Sequence, residues 1–228
     1  MDEIVSKIAI MLVPALLAII LHEVAHGYIA EQFGDPTARF LGRLTLNPLK
    51  HLDPIGTIAI FIFGFGWARP VPVNPGNFRR PRRDMVWVAL AGPATNFLLA
   101  ALSALVLRGL GLLDATSLAE SHIYAQVTVP VKMMAGFSLY INALLGTFNL
   151  IPVPPLDGGR ILIGVLPERQ ALQLSRLEPF GFVLILFLVF FTDVWSYVLG
   201  PIINILVVFL AGNQIHQVEQ AIRFLFGH

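Results

Sequence analysis

Residues 8–30 read Ile8-Ala-Ile-Met-Leu-Val-Pro-Ala-Leu-Leu-Ala-Ile-Ile-Leu-His22-Glu23-Val-Ala-His26-Gly-Tyr-Ile-Ala30. At 1.5 Å per residue, a helix over this run is ~35 Å long, enough to cross the hydrocarbon core of a bilayer. Its far end carries three ionisable residues within five positions, His22, Glu23 and His26. Each costs ~3 kcal/mol near mid-membrane on insertion scales, so three together in a lipid-crossing helix mark a functional place.

Working outward, further apolar runs cover 85–107, about 127–151, 180 to about 199, and 202–211. Hydrophobic residues make up 56% of the 228-residue chain and charged residues 13%, against roughly 25% charged in a soluble domain. The chain is a membrane protein. A net charge of +1 offers no electrostatic footprint for nucleic acid. There is no cysteine, so disulfides, thiol nucleophiles and thiolate ligands are excluded together, and any metal must be held by His, Asp or Glu. Met1-Asp2-Glu3 lacks the basic start of a secretory signal, so the first run is expected to be retained.

Residues 35–83 differ in character. Arg39-Phe-Leu-Gly-Arg-Leu-Thr-Leu46 alternates loosely, as a short strand would. Asn47-Pro48, Asp53-Pro54 and Gly56 are turn formers. Thr57–Phe65 is apolar but too short to span as a helix, which predicts a strand or a re-entrant piece. Prolines extend Arg69-Pro-Val-Pro-Val-Asn-Pro75. Near the C-terminus, Gly200-Pro201 is expected to end one helix and open the next. Gln214–Phe226 reads as an amphipathic interfacial helix. No internal repeat is visible.

Orientation follows from the basic residues. Arg39, Arg43, Lys50, Arg69, Arg79, Arg80, Arg82 and Arg83 lie in the 35–83 connection, and Arg160, Arg169 and Arg176 in 152–179, whereas 109–126 has no Lys or Arg. The positive-inside rule puts the first two in the cytoplasm and the third outside. Five spans then place His22 in the cytoplasmic half of the first helix. The Arg79–Arg83 cluster reads first as a topology anchor, with lipid or substrate binding as the alternative.

His22-Glu23-Val24-Ala25-His26 is an H-E-x-x-H pattern within a helix. Residues four apart share a face one turn apart, so both imidazoles can reach one ion. Zinc suits two neutral imidazoles and keeps a position open for water, whose proton Glu23 can take as the water attacks a carbonyl. A catalytic zinc needs a third protein ligand. His51, His122, His216 and His228 lie in poor positions for it. Asp157 is the best candidate, in Phe148-Asn-Leu-Ile-Pro-Val-Pro-Pro-Leu-Asp-Gly-Gly-Arg160. Three prolines and two glycines force irregular backbone close to the membrane, tolerated only in a protein-buried or wet setting. On the residues alone, Asp157 reads equally well as a ligand or as a turn former beside Gly158.

With H-E-x-x-H at 22–26 and Asn149-x-x-Pro-x-x-Pro-Leu-Asp-Gly158 downstream, the sequence resembles the site-2 protease family of intramembrane metalloproteases over about residues 15–165. Ala91-Gly-Pro-Ala-Thr-Asn96 also looks like a family motif. The resemblance implies that His22, His26 and Asp157 bind Zn2+, that Glu23 is the catalytic base, and that Asn149 lies near the site and helps to stabilise a tetrahedral oxyanion. Asn149 has a plainer alternative in satisfying backbone opened by Pro152. Asn96 reads as interhelical glue more readily than as catalysis. Many larger relatives carry a membrane helix before the H-E-x-x-H helix, or PDZ or CBS domains. Here that helix comes first, and no such domain is visible, as in a minimal prokaryotic-type member.

The expectation is an all-α polytopic membrane protein of about five transmembrane helices with a small β-like or re-entrant membrane-associated element. One protease domain covers 1–228, with helix one at about 8–33, the β-like element at 36–78, helix two at 84–108 and helix three at 127–151. A Pro/Gly-rich ligand loop follows at 152–160, then C-terminal helices at 180–226. The expected partners are the lipid bilayer and a transmembrane segment of a membrane-protein substrate, with no nucleic acid. The expected place is a prokaryotic cell membrane, active site toward the cytoplasm. A helical substrate hides its carbonyls, so an edge strand in 36–78 is expected to hold it extended, or else that element is a lid or packing piece. The rival is a non-proteolytic scaffold or transporter. Glu23 disfavours it, because a zinc carrier needs no base between its ligands.

Overall fold

The computed structural model describes residues 2–54, 56, 68–114 and 122–227. Its helices are α1 (Asp2–Gln32), α2 (Thr37–Phe40), α3 (Pro81–Leu113), α4 (His122–Asn149), α5 (Asp157–Val165), α6 (Glu168–Ser175), α7 (Gly181–Phe191), α8 (Gly200–Ala211) and α9 (Ile215–Phe226). Among the described residues, four stretches are long and apolar enough to cross a membrane: Ile4–Gln32, Pro81–Leu113, Tyr124–Asn149 and Trp195–Phe226. A fifth results if the bent pair Glu168–Phe180 and Val183–Phe191, angled at 81°, counts as one span. The protein is all-α and polytopic.

Three expectations change. Arg39–Leu46 forms no strand: Thr37–Phe40 is a helical turn closed at Gly42, whose φ of +62° only glycine adopts at low cost. Backbone pairing in the described part of the 36–78 element is an isolated antiparallel bridge, Leu52 to Ala68. Thr57–Phe65 lies outside the described residues. Finally, the helix does not break at Gly200-Pro201. A π-helical turn at Trp195–Leu199 runs directly into α8, and such a turn re-routes the hydrogen bond that a proline cannot donate. The break comes instead at Thr192, whose extended backbone (φ −128°, ψ 157°) stops α7 after 11 residues. That is ~16 Å of helix, too short to span alone.

The chain forms two compact units. One comprises Asn96–Thr147, the chain up to Ala18 and the chain from Asp193. Its polar centre is Asn96, fully buried, whose Nδ2 donates to Ala18 O (3.2 Å) and Asn142 Oδ1 (2.9 Å). Asn142 donates onward to Ser138 O (2.9 Å), and Ser103 Oγ to Ser138 Oγ (2.8 Å). These amides stitch helices together in a medium without water, the structural alternative expected for Asn96. Around them Ile10, Met133, Phe137 and Ala221 form an apolar cluster. Arg108 Nη2 donates to Leu210 O (2.7 Å), satisfying a carbonyl at the end of α8.

The other unit comprises Ile19–Thr95 and Phe148–Thr192. Ala30, Phe78 and Val88 are its apolar cluster. Asp35, fully buried just past α1, accepts from Thr37 N (3.2 Å), Asn74 N (2.6 Å) and Asn77 Nδ2 (2.7 Å), and also from Thr37 Oγ1. Burial by itself would raise its carboxyl, but these donors hold it below the ordinary value. The connection after α1 is thereby tied down at both ends.

Candidate metal centre

His22 and His26 sit one turn apart in α1, and Asp157 is the first residue of α5. All three are buried, at 7%, 7% and 5% exposure. His22 Nε2 and His26 Nε2 are 3.0 Å apart, and each is 3.2 Å from Asp157 Oδ2. His26 Nδ1 lies 2.7 Å from Val88 O. A carbonyl only accepts, so Nδ1 carries the proton and Nε2 is left bare. This fixes the tautomer a metal ligand requires.

Asp157 is placed by its glycines. A Cβ on Gly158 would come within 2.2 Å of Leu150 O and 2.4 Å of Ile151 O, and one on Gly159 within 2.4 Å of Pro154 N. The Pro-rich turn therefore folds against the backbone of α5's first turn, and nothing larger than glycine fits there.

Three observations fit these residues to a metal ion. The edges of the triangle, 3.0, 3.2 and 3.2 Å, approach the ~3.3–3.4 Å that separates two ligand atoms ~2.0–2.1 Å from a tetrahedral zinc. Asp157 Oδ2 is buried without a hydrogen-bond partner, although both rings are close. It is equidistant from the two Nε2 atoms, at 3.2 Å from each. Lastly, a Cβ on Gly92 in α3 would stand 2.4 Å from His26 Nε2 and 2.6 Å from His22 Nε2. A methyl group there would fill the space in front of both ligand atoms. Among the described residues, this is the cluster of three His, Asp or Glu side chains with convergent ligand atoms.

Glu23 points to a neighbouring face of α1, where its Oε2 accepts from Val71 N at 2.7 Å. Asn149 is the last residue of α4, half-buried, at the head of the turn leading to Asp157. His51 is buried with Nε2 on Thr45 O (2.8 Å), a structural role, and His216 is exposed on α9. His228 lies outside the described residues. Sequence reasoning does not single out Val71, and Gly92 is visible to it only as part of a motif.

Comparison with known proteins bears on this geometry. The model of peptidase family M50 matches residues 9–191, a span that holds every residue of the cluster. The chain belongs to peptidase family M50. Among the relatives of this M50 peptidase is YwhC of Bacillus subtilis, whose name assigns it provisionally to the zinc metalloproteases. The two are 40% identical over 209 residues, 87% of this chain and 88% of YwhC. Rip2 of Mycobacterium tuberculosis, named in the same provisional terms, is 34% identical over 190 residues, 80% of this chain and 68% of Rip2. A protein of Methanocaldococcus jannaschii named a zinc metalloprotease is 26% identical over 161 residues. These are 71% of this chain but 35% of that longer protein. No solved structure matches the chain.

Proposed function

We propose that this chain is an intramembrane zinc metalloprotease that hydrolyses peptide bonds within a transmembrane segment of another membrane protein. As an M50 peptidase with apolar membrane-crossing helices, it is a membrane protease of the zinc type. The observation that supports the finer reading is the convergence of His22 Nε2, His26 Nε2 and Asp157 Oδ2 on one point beside Glu23.

His22, His26 and Asp157 would hold the ion. Zinc, once bound, polarises a scissile carbonyl and acidifies a water molecule. Glu23 is the base. Its Oε2 is held by the Val71 amide, and among the described residues Oε1 takes no hydrogen bond, so Oε1 is the oxygen that receives the proton of the attacking water. Burial of the three ligands keeps bulk water from competing with a peptide carbonyl. Asn149 is assigned to the oxyanion of the tetrahedral intermediate through its side-chain amide, a donor of the type such holes use. A carrier of zinc would have no use for a carboxylate anchored beside its ligands.

His22 lies ten residues before the end of α1, ~15 Å along the axis. With Arg79–Arg83 on the same side, we place the site toward the cytoplasmic face of a prokaryotic cell membrane. The test uses the purified, zinc-loaded chain in lipid nanodiscs and a panel of reporter proteins. Each reporter bears one transmembrane segment with helix-breaking residues at its centre. Wild type is expected to cut within the segment of at least one reporter, while Glu23→Gln keeps zinc and does not cut. Cleavage by Glu23→Gln at the wild-type rate would overturn the assignment.

A further inference from the structure

Glu23 and Gly27 are four residues apart on α1 and share a face beside the one that carries His22 and His26. Against that face, together with Leu44 and Ala38, packs Val71 of the segment 69–74, Arg-Pro-Val-Pro-Val-Asn. A Cβ on Gly27 would stand 2.8 Å from Val71 Cγ1 and 2.7 Å from Leu44 Cδ2, so the segment lies directly on the helix backbone. Val71 is buried, and its N–H donates to Glu23 Oε2 at 2.7 Å. Pro70 and Pro72 have no N–H, so this is the one amide of the tripeptide.

The segment is anchored on both sides of that amide. Upstream, Arg43 Nη2 donates to Arg69 O (2.7 Å) and Pro70 O (3.3 Å), and Arg69 N donates to His51 O (2.8 Å). Downstream, Asn74 N donates to Asp35 Oδ2 (2.6 Å). Arg43 is itself buried, with its Nε lacking a hydrogen-bond partner among the described residues. A guanidinium buried with an unpaired N–H is a poor device for stability. Clamping two consecutive carbonyls with one Nη2 is instead a device for position.

We propose that residues 69–74 are a positioning strap for the catalytic carboxylate: Arg43 clamps the Arg69 and Pro70 carbonyls so that the Val71 N–H fixes one oxygen of Glu23. This deepens the reading of Glu23 as the base and rests on it. A glutamate has three rotatable bonds, and without the amide its carboxylate is free to leave the water it must deprotonate. A displacement of ~1 Å is enough to cost ~100-fold in turnover. His22 and His26 sit on the neighbouring face of α1 and Asp157 on α5, so the ligand set and the base are held by different parts of the chain and metal affinity is expected to change independently of base position. Arg43 and Val71 are positioning residues; neither is assigned contact with substrate.

The test compares Val71→Pro with Arg43→Met and Arg43→Lys in the full chain in nanodiscs. Proline at 71 deletes the N–H but suits a segment already flanked by prolines. Val71→Pro is expected to lower kcat ~100-fold on a cleaved reporter segment, with KM and zinc stoichiometry as in wild type. Arg43→Met should fall in the same direction, and Arg43→Lys, which keeps a donor, should recover part of the loss. A second readout needs no activity. Val71→Pro should lower the melting temperature of wild type by clearly more than that of Glu23→Ala, where the packing loss remains but the bond is already absent. Additive melting losses, or Val71→Pro with wild-type kcat, overturn the strap. So does a loss of zinc in parallel with turnover. If Val71→Pro does not fold, the Arg43 pair decides by the same criteria, with Arg43→Met expected to lower kcat at full zinc occupancy. If wild type cuts no reporter but the melting losses are non-additive, the strap stands and the proteolytic reading fails.

Discussion

Gly92→Ala adds one methyl group to the whole protein, and the geometry makes that methyl decisive. Its Cβ would lie 2.4 Å from His26 Nε2, 2.5 Å from His22 Cε1 and 2.6 Å from His22 Nε2, where ordinary contacts begin at 3.4 Å. Relief requires about 1 Å of movement between α3 and the two rings. The rings have little room to yield, since both are buried and His26 is tied to Val88 O on the same helix. Metal bonds tolerate only about 0.2 Å of error. Disturbing residues behind the ligands typically costs 10–100-fold in affinity, and displacing the ligands themselves should cost at least the upper figure. We therefore expect zinc affinity to fall ~100-fold or more, ~2.8 kcal/mol at 1.4 kcal/mol per decade. Chelator competition on the purified variant measures this, and the melting temperature of the metal-free form shows whether the fold survives. An alanine variant that binds zinc as tightly as wild type would refute the placement of Gly92 against the ligand atoms.

Other outcomes are equally concrete. Asp157→Ala should purify with less than stoichiometric zinc by elemental analysis and lose cleavage; full occupancy and activity would remove Asp157 from the ligand set. Asp35→Asn should destabilise the unit around α1 by ~2–3 kcal/mol in denaturant unfolding, since a carboxylate accepting four hydrogen bonds is replaced by an amide with one acceptor. The Asp35 carboxyl is depressed in the folded state, so its contribution is fully present above the ordinary carboxylate value of ~4 and fades as pH falls through the lower folded value. Wild type should thus lose more stability than Asp35→Asn on acidification below pH ~4. A reporter fused near Pro81 should read cytoplasmic and one near Thr116 external; the reverse would move the site to the other membrane face.

What the sequence determines on its own is local or compositional. Long apolar runs dictate a membrane-crossing helical protein, because no other regular structure of that length satisfies its backbone in lipid. The spacing of His22 and His26 places two imidazoles on one face of α1 whatever else the chain does, because helical periodicity is local. Glu23 is legible beside them for the same reason. Asp157 is different: its residues read equally as ligand or turn former, and the resemblance to a family, not local physics, favours the ligand. Gly158 and Gly159 let the Pro-rich turn fold locally against the start of α5, but the meeting of the Asp157 oxygen with the two rings is a contact between segments distant in the chain. Gly92 and Val71 likewise gain meaning only from what faces them: one leaves room for two imidazoles, the other offers its lone amide to Glu23. The same limit explains the break at Thr192 in place of Gly200-Pro201. A proline's missing hydrogen bond can be absorbed by a π-helical turn or can end a helix, and the choice depends on surrounding packing. Periodicity and composition are properties of one segment, whereas a site is a coincidence of several, decided by which backbones can approach closely enough to meet.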